Sequence, residues 1–442
     1  MSRRYLMAIV DGGGNVPPEL HVARRLVERG HDVTVLTEDS IAGEVRATGA
    51  VLRRWTHAPN RPDRRPEHDP VRDWECKYPW QLVARLVSTL FVGPADGYAR
   101  DVREAMTGID PDLVICSMFC LGGMVAAEAD GRPFDVLFPN VYPLPATGMP
   151  PFGLGLSPAR GALGRLRDRA LTAVTELLWD WHGLSGLNAV RRRHGLAPLD
   201  RFLDQTRRAR RQLVLTSQAF DFPAVFPSNV RYVGPVLDDP VWAQTTSWTP
   251  PSGTDPLVLV SMSSTFQDQT HALQRVVDAL AMLPVRGVLT TGPAIDPRAL
   301  RAPAHVTVVR SAPHQQVLGS ASLVITHAGH GTVMKALAAG VPLAMLPHGR
   351  DQADTAVRVT ARGAGLLLKS SASPRAIADA VARLMQNDSY RTAAQQLGAA
   401  IRRDAGTDLL VKELEATGAR ASYERHTLPR SRHRDDDSAA TT

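Results

Sequence analysis

Short apolar runs alternate with helical patterns along almost the whole chain, and this alternation constrains the fold more than any other feature. Apolar runs occupy residues 5–10, 32–36, 112–116, 135–138 and 212–216, and apolar residues recur with helical spacing between several of them. A strand that is followed by a helix usually pairs in parallel with the next strand, so this pattern indicates parallel sheets covered by helices. The chain is therefore predicted to be an α/β protein.

The pattern begins again at residues 256–261, after a proline-rich stretch of low periodicity. The later strands are predicted at residues 287–291, 305–309, 323–326, 342–345 and 365–367. A chain of 442 residues is too long for a single core. We expect one domain at residues 1–237, a linker at 238–255, a second domain at 256–418, and a disordered tail at 419–442.

Composition excludes several classes of protein. Hydrophobic residues make up 44% of the chain, which excludes general disorder, and no apolar run is long enough to span a membrane. The first residues lack the longer apolar region of a signal peptide, and three cysteines suit a reducing compartment, so a cytoplasmic protein is expected. The net charge is +7, but the most basic run, residues 207–211, has no interleaved aromatic residues. No nucleic-acid partner is therefore expected.

Residues 323–332 form the most informative motif, with the sequence Leu-Val-Ile-Thr-His-Ala-Gly-His-Gly-Thr. It predicts a buried strand, a turn of small residues and a helix start, whose first N–H groups bind phosphate without a metal. His327 at the strand end can add a donor, or a full charge, beside the same anion. Asp351 and Gln352 follow the next strand and are suited to binding sugar hydroxyls. Together these features predict a nucleotide-sugar ligand.

Residues 313–368 resemble the donor-binding signature of family-1 nucleotide-sugar glycosyltransferases, in particular the actinobacterial branch that acts on natural products. The resemblance extends from about residue 5 to about residue 414. It implies the GT-B fold, two Rossmann-like domains that face each other across a cleft, and an inverting reaction that needs no metal. The donor-binding positions that the resemblance assigns are Ser263, Ser264, Ser311, His327, Gly329, Gly331, Thr332, Asp351 and Gln352.

Three positions depart from the family pattern. Lys335 stands where the family often has a glutamate that holds the ribose hydroxyls, Thr355 replaces a common asparagine, and Ser311 replaces a base-stacking aromatic residue. The lost acid favours dTDP over UDP as the nucleotide, because deoxyribose has one hydroxyl fewer. The segment Asp110-Pro111-Asp112 resembles a metal-binding Asp-x-Asp but lies at a predicted turn. We therefore expect a nucleotide-sugar co-substrate with no cofactor and no metal.

The glycine-rich turn after the first strand differs from both motifs that it resembles. Pro17 stands where a dinucleotide-binding turn needs its third glycine. In the glycosyltransferase family this turn carries the catalytic base, usually a histidine, and here that position is Asn15, whose amide has no useful basicity. Asp11 is the candidate base, with Asn15 orienting the acceptor, although a turn-bonding aspartate is an equal alternative.

The aspartate that often orients the catalytic histidine is missing as well, because Cys116, Ser117 and Met118 occupy its neighbourhood. An acceptor with an acidic phenol would need less help from a base. We expect the acceptor to bind at the irregular stretches near residues 57–80 and 142–158. The candidate pocket walls for a flat or macrocyclic apolar acceptor, any of which can be core instead, are Trp74, Trp80, Phe119, Tyr142 and Phe152.

The sequence thus predicts an inverting, metal-independent glycosyltransferase that moves a deoxysugar from a dTDP- or UDP-sugar to an apolar natural product. Two alternatives stay open. One is a catalytically impaired nucleotide-binding homologue that acts as an auxiliary partner, which Asn15 favours. The other is a nucleotide-sugar epimerase on a similar fold. A homodimer is compatible with the sequence.

Overall fold

Two parallel sheets form the framework of the computed structural model, which describes residues 2–239, 248–262, 265–292 and 295–416. The strands are β1 (Arg4–Ala8), β2 (Asp32–Thr37), β3 (Val51–Arg54), β4 (Leu113–Ser117), β5 (Phe134–Phe138), β6 (Arg211–Val214), β7 (Val230–Tyr232), β8 (Leu257–Ser261), β9 (Arg286–Thr290), β10 (Val306–Val309), β11 (Ala321–Thr326), β12 (Leu343–Met345) and β13 (Gly365–Leu367). The first sheet has the order β3-β2-β1-β4-β5-β6-β7, and the second has the order β10-β9-β8-β11-β12-β13.

Helices cover both faces of each sheet. They are α1 (Val16–Glu28), α2 (Ala42–Arg46), α3 (Pro79–Leu86), α4 (Ala95–Ile109), α5 (Leu121–Ala129), α6 (Gly161–Trp179), α7 (Ser185–Arg193), α8 (Asp204–Arg207), α9 (Thr270–Leu280), α10 (His314–Ser320), α11 (His330–Ala338), α12 (Gln352–Ala361), α13 (Pro374–Gln386), α14 (Asp388–Ala405) and α15 (Leu409–Glu415). A π-helical turn at Asp180–Leu184 joins α6 to α7.

Strand β1, in the interior of the first sheet, is buried on both faces. Leu6 and Ala8 of β1 pack into the layer that contains α4 and α5, while Tyr5 and Met7 pack into the layer that contains α1. A parallel strand with helices on both sides needs apolar residues at every position, and this explains why β1 appears in the sequence as a continuous apolar run.

The last helix, α15, returns to the first sheet. Leu410 and Leu414 join the same buried cluster as Tyr5, whose hydroxyl donates to the carbonyl oxygen of Leu414 at 3.3 Å. Glu415 lies 3.0 Å from Nε2 of His31, at the edge of the same layer. Helix α15 therefore completes the outer layer of the first half of the chain.

The structure confirms the predicted α/β class and the two Rossmann-like units. Two strands in the first sheet, β3 and β7, were not expected from the sequence. The predicted domain boundaries stay a prediction, and part of the linker (240–247) and the tail lie outside the described residues. No helix within the described ranges combines the length and the apolar character that a membrane crossing needs.

Candidate functional site

The loops at the carboxyl ends of the two sheets meet each other. The strand order reverses between β1 and β4 in the first sheet and between β8 and β11 in the second. The crevice outside such a switch point is where open α/β sheets bind ligands. The turn after β1 touches the segment after β8 so closely that a Cβ atom on Gly13 would overlap the methyl group of Thr265. The two switch points therefore border one site.

The start of helix α11 has backbone N–H groups that no side chain in the described part of the chain caps. Strand β11 ends at Thr326, Ala328 adopts a left-handed φ of 71°, and Gly329 precedes the first helical residue. The first N–H groups of the helix, which include those of Gly331 and Thr332, can therefore donate to a ligand. The positive end of the helix dipole lies at the same place.

His327 lies at the end of β11, 9% exposed, beside this helix start. Burial is the largest cause that lowers the pKa of His327 to about 3; the nearby His348 and Arg350 act in the same direction, and a hydrogen bond with the backbone of Ser261 opposes them. The imidazole is therefore neutral at physiological pH and can donate one hydrogen bond. The full charge that the sequence allowed for this residue is absent.

The predicted sugar-binding pair, Asp351 and Gln352, lies at the start of α12. The side-chain oxygen of Gln352 accepts from the N–H groups of His348 and Gly349 at 2.7 and 3.2 Å, and its nitrogen donates to Gln267 at 2.9 Å. Gln352 is 2% exposed and shapes this turn rather than facing the cleft. Burial raises the pKa of Asp351, although neighbouring hydrogen bonds and Arg350 oppose that effect.

Arg350 links the two halves of the chain across the cleft. Its Nε donates to Oδ2 of Asp73 at 2.7 Å, and its Nη1 donates to Oγ1 of Thr265 at 2.9 Å and to the carbonyl oxygen of Gly12 at 3.4 Å. Its backbone has a left-handed φ of 56°. One ring contact lies beside this link, because Trp74 meets the ring of Phe266 edge-on at 5.1 Å. A permanent cation therefore lies between the two switch points.

His348 is a second residue near the start of α11 that the sequence did not indicate. Both of its ring nitrogens are buried, and neither has a side-chain partner in the described ranges. The ring lies close enough to His327 to lower the pKa of His327. Burial lowers the pKa of His348 itself, and a hydrogen bond with the backbone of Leu346 opposes this. A buried ring nitrogen beyond the carboxyl end of β12 can serve a polar ligand.

Asp11 is turned away from the cleft, contrary to the expected orientation of a base. Its side chain is 1% exposed, and its Oδ2 accepts from Arg64 at 2.8 Å and from Ser40 at 2.9 Å. Its Oδ1 accepts from the N–H of Gly13 at 2.9 Å. Burial works to raise the pKa of Asp11, but Arg64 and Arg61 outweigh it and hold that pKa below its ordinary value. In this conformation Asp11 is an ionised group that fixes the turn.

Asn15 also holds the turn. Its Oδ1 accepts from the N–H of Gly12 at 2.9 Å, while its amide donates to the carbonyl oxygen of Val10 at 2.9 Å and to Glu19 at 3.1 Å. Burial raises the pKa of Glu19 well above its ordinary value, although Ser117 and Asn15 act in the opposite direction. The protonated form of this carboxyl is therefore favoured. The whole amide of Asn15 is occupied by its own turn.

The five predicted acceptor residues lie in different surroundings. Phe119 touches the glycine-rich turn, since a Cβ atom on Gly12 would lie 2.7 Å from its ring. Trp80 is 52% exposed and stacks on Tyr78 with ring centroids 4.5 Å apart. Phe152 packs against the core of the second sheet. Phe119 and Trp74 therefore border the cleft.

Tyr142 differs from its prediction. It is 1% exposed, and its hydroxyl bonds to Gln212 at 3.0 Å, so it belongs to the core of the first half of the chain. It offers no surface to an acceptor in this conformation.

Four further positions were predicted to lie near the donor, namely Ser263, Ser264, Ser311 and Lys335. Ser263 and Ser264 lie outside the described residues, and Ser311 is half-buried directly before α10. Lys335 on α11 lies 2.8 Å from Asp239, and both side chains are largely buried. The position of the family's ribose-holding acid is therefore occupied by a paired cation.

One group of side chains in the described ranges has the composition of a metal site. His57, Asp101 and Glu104 bring their ligand atoms within 4.8 Å of one another. Asp101, however, accepts from the backbone N–H groups of Thr56, His57 and Ala58 at 2.9 to 3.2 Å, so it already closes the loop after β3. The group lies beside an edge strand and not between the two switch points.

Comparison with known proteins gives consistent matches. The family model described as UDP-glucuronosyl and UDP-glucosyl transferase matches residues 200–411. A 4'-demethylrebeccamycin synthase of Lentzea aerocolonigenes is 28% identical over 418 residues, which cover 90% of this chain and 95% of that protein. A PGL/p-HBAD biosynthesis glycosyltransferase of Mycobacterium tuberculosis is 30% identical over 322 residues, with 69% and 70% covered. The crystal structure of a calicheamicin glycosyltransferase superposes with a TM-score of 0.71 at 26% identity, with 95% and 99% covered.

Proposed function

We propose that this chain, which belongs to the glycosyltransferase family of UDP-glucuronosyl and UDP-glucosyl transferases, transfers a deoxysugar from a dTDP-sugar to an apolar natural product. The chain is a glycosyltransferase with the GT-B fold, and it acts on a nucleotide sugar and a small-molecule acceptor. The identity of the nucleotide, inversion at the sugar, independence of metal and the apolar acceptor are parts of the proposal.

The uncapped start of α11 is the observation that carries this proposal. It faces the crevice between the two switch points, where a diphosphate accepts hydrogen bonds from backbone N–H groups. His327 adds a neutral donor. Arg350 adds a permanent positive charge close enough to His327 to lower its pKa. Stabilisation of the departing diphosphate by these groups takes the place of a metal ion.

Lys335 supports the choice of dTDP. An ammonium group has three donors and no acceptor, so it cannot receive the hydrogen bond that a ribose 2'-hydroxyl would donate to a carboxylate. The Lys335 ammonium also donates to the carboxylate of Asp239, the acidic residue beside it. The Asp239 side chain is only 4% exposed, so this position offers no exposed carboxylate to that hydroxyl, and a deoxyribose nucleotide loses nothing by this.

In the proposed reaction the acceptor oxygen attacks the anomeric carbon from the side opposite the diphosphate. The bond from carbon to the diphosphate oxygen breaks, and the configuration inverts. Asp351 and His348 are the proposed contacts for the sugar, because Gln352 is occupied by its own turn. Phe119 and Trp74 are the proposed walls for the acceptor.

Removal of the proton from the acceptor hydroxyl is the step for which we find no free base among the residues suggested by the sequence. Asp11 and Asn15, the base and helper suggested by the sequence, are both engaged within the glycine-rich turn. We therefore favour an acceptor with an acidic hydroxyl, such as a phenol, which gives its proton to water and attacks as the phenolate. A series of substituted phenols tests this. Transfer by the wild type should rise as the pKa of the phenol falls. Asp11→Asn should change transfer to every phenol by the same factor if Asp11 is not the base, and a loss confined to the least acidic phenols would identify Asp11 as the base.

A binding experiment tests the donor class. Purified protein with EDTA is titrated with dTDP, UDP, GDP and NAD, and its melting temperature is followed, because a ligand of the folded state raises that temperature. We expect the largest rise with dTDP. A larger rise with UDP would reject the nucleotide assignment, and a rise with NAD alone would reject the donor site. Turnover with a dTDP-sugar and a phenol then separates the transferase from an inactive homologue, and product analysis without acceptor detects an epimerase.

A further inference from the structure

Helix α6 carries its apolar residues on the side that faces away from the protein. Only Asp168 among its 19 residues is buried. The outward side is formed by exposed apolar residues, namely Leu163, Leu166, Ala170, Val174, Leu177 and, one turn later, Trp181. Leu163 is 84% exposed and Trp181 is 79% exposed. A surface helix normally shows the reverse arrangement, so this row marks an interaction surface.

The spacing within this row fits a second helix of the same sequence. The row advances by steps of three or four residues, as the seam of a helix pair does. It is also nearly symmetric about residue 172, with large residues at both ends and small ones near the centre. In an antiparallel pair of copies Leu163 would meet Trp181, Leu166 would meet Leu177, and Ala170 would meet Val174. A two-fold contact requires such self-complementarity, whereas an unrelated partner does not.

The charges along one edge of the row obey the same symmetry. On a helix with 3.6 residues per turn, Arg165 and Arg169 share this edge in the first half, and Glu176 and Asp180 share it in the second. Each edge faces its own counterpart in an antiparallel pair. Arg169 then meets Glu176 of the second copy, whose side chain is 24% exposed. Both acids also bond to arginines outside the helix, at 3.4 and 2.7 Å, and a carboxylate can accept from further donors.

The exposed area is of the size that a dimer needs. Leu163, Leu166, Val174, Leu177 and Trp181, all at least half exposed, together leave on the order of 700 Å² accessible, against a few hundred Å² in the patches of most monomers and about 800 Å² per partner in stable complexes. We propose that two copies of this chain associate through α6, packed antiparallel about a two-fold axis near residue 172. This association is independent of the donor and acceptor proposed above.

Charge reversal tests the proposal most directly. In sedimentation velocity the full chain should reach about twice its mass of 47.9 kDa as its concentration rises. Arg169→Glu and Glu176→Arg should each raise the dimer dissociation constant about tenfold, because like charges then face each other at both symmetric positions. The double variant restores both pairs and should return the constant to near the wild-type value. This rescue requires a partner that carries the same substitutions, which is true of a second copy of this chain and not of an unrelated protein.

Apolar variants supply the control. Leu166→Asp together with Leu177→Asp should give a monomer, while Met282→Asp, an exposed position 57% accessible in the second half, should leave the dimer intact. Melting curves check that each variant folds. A wild type that stays monomeric at every concentration overturns the proposal, and so does a double charge variant no better than the single ones. A monomer that binds phosphatidylglycerol vesicles through Leu166 would assign this face to a membrane instead.

Discussion

Replacing Arg350 by methionine should slow sugar transfer by weakening the contact across the cleft. The Arg350 guanidinium donates to Asp73 at 2.7 Å, and the two side chains are 27% and 8% exposed. Asp73 precedes α3 in the first half of the chain, whereas Arg350 precedes α12 in the second. Methionine keeps much of the apolar stem but loses the guanidinium group, so the two halves lose their charged link.

The size of the effect follows from the burial of this pair. A hydrogen bond to a charged group contributes about 1.5–3 kcal/mol, and partial exposure places this pair near about 2 kcal/mol. Because about 1.4 kcal/mol corresponds to a factor of ten, kcat/KM for the donor should fall about thirtyfold. Asp73→Asn keeps the shape and removes the charge, so its loss should be about tenfold. The double variant should be little worse than Arg350→Met alone, since both changes remove the same interaction.

The matched control is Arg375→Met, which removes an arginine from a surface pair with Asp379 whose side chains are 79% and 63% exposed. Its kcat/KM should equal that of the wild type. The reasoning is refuted if Asp73→Asn has full activity while Arg350→Met does not. Arg350 would then act on the donor alone, and its contact with Asp73 would be incidental.

Three other changes have defined outcomes. Gly329→Ala should weaken dTDP binding at least about tenfold in calorimetry, because the added Cβ would lie 2.5 Å from Nε2 of His327, while Gly331→Ala, which meets no atom within 4 Å, should bind normally. Arg358→Met should lower the free energy of unfolding by about 3–5 kcal/mol in urea, because it leaves Asp221 charged and buried; a loss no larger than that of Arg375→Met would contradict this. Burial lowers the pKa of His330 to about 4, so the unfolded chain binds the extra proton below about pH 6.5, and stability falls with falling pH. His330→Asn should remove about 1.4 kcal/mol per pH unit of that dependence between about pH 6.5 and 5; identical pH dependence in both chains would exclude it.

The sequence predicted those parts of the fold that depend on local patterns. Strands that are buried on both faces, such as β1 and β8, appear as apolar runs and were found. The edge strand β3 was missed because Arg53 and Arg54 are exposed and give it no apolar period. The strand β7 was missed because only Val230 of its three residues is buried and Arg231 interrupts the apolar run.

The candidate site also has parts that follow from local sequence and parts that depend on contacts between distant residues. The strand, turn and helix around His327 are consecutive in the chain, so their arrangement could be predicted from one motif, and the anion site that they suggest stays a prediction. The pair of Arg350 and Asp73 joins residues 277 positions apart, and nothing in the sequence connects them. Asp11 and Gln352 have residue types that suit catalysis or sugar binding, but their side chains form hydrogen bonds within their own turns. Only the three-dimensional neighbours of a polar side chain decide whether it is free for a substrate.

The return of α15 to the first sheet affects how the protein is made. The first half of the chain leaves the ribosome before Leu410 and Leu414 exist, so its outer layer emerges with an uncovered apolar strip beside Tyr5. That strip is closed only when the last helix has been translated and has docked. A nascent chain that stops before residue 409 therefore exposes an apolar surface that chaperones and proteases can recognise. Docking of α15 covers this surface, so chains that contain the helix differ from shorter ones in their exposed apolar area.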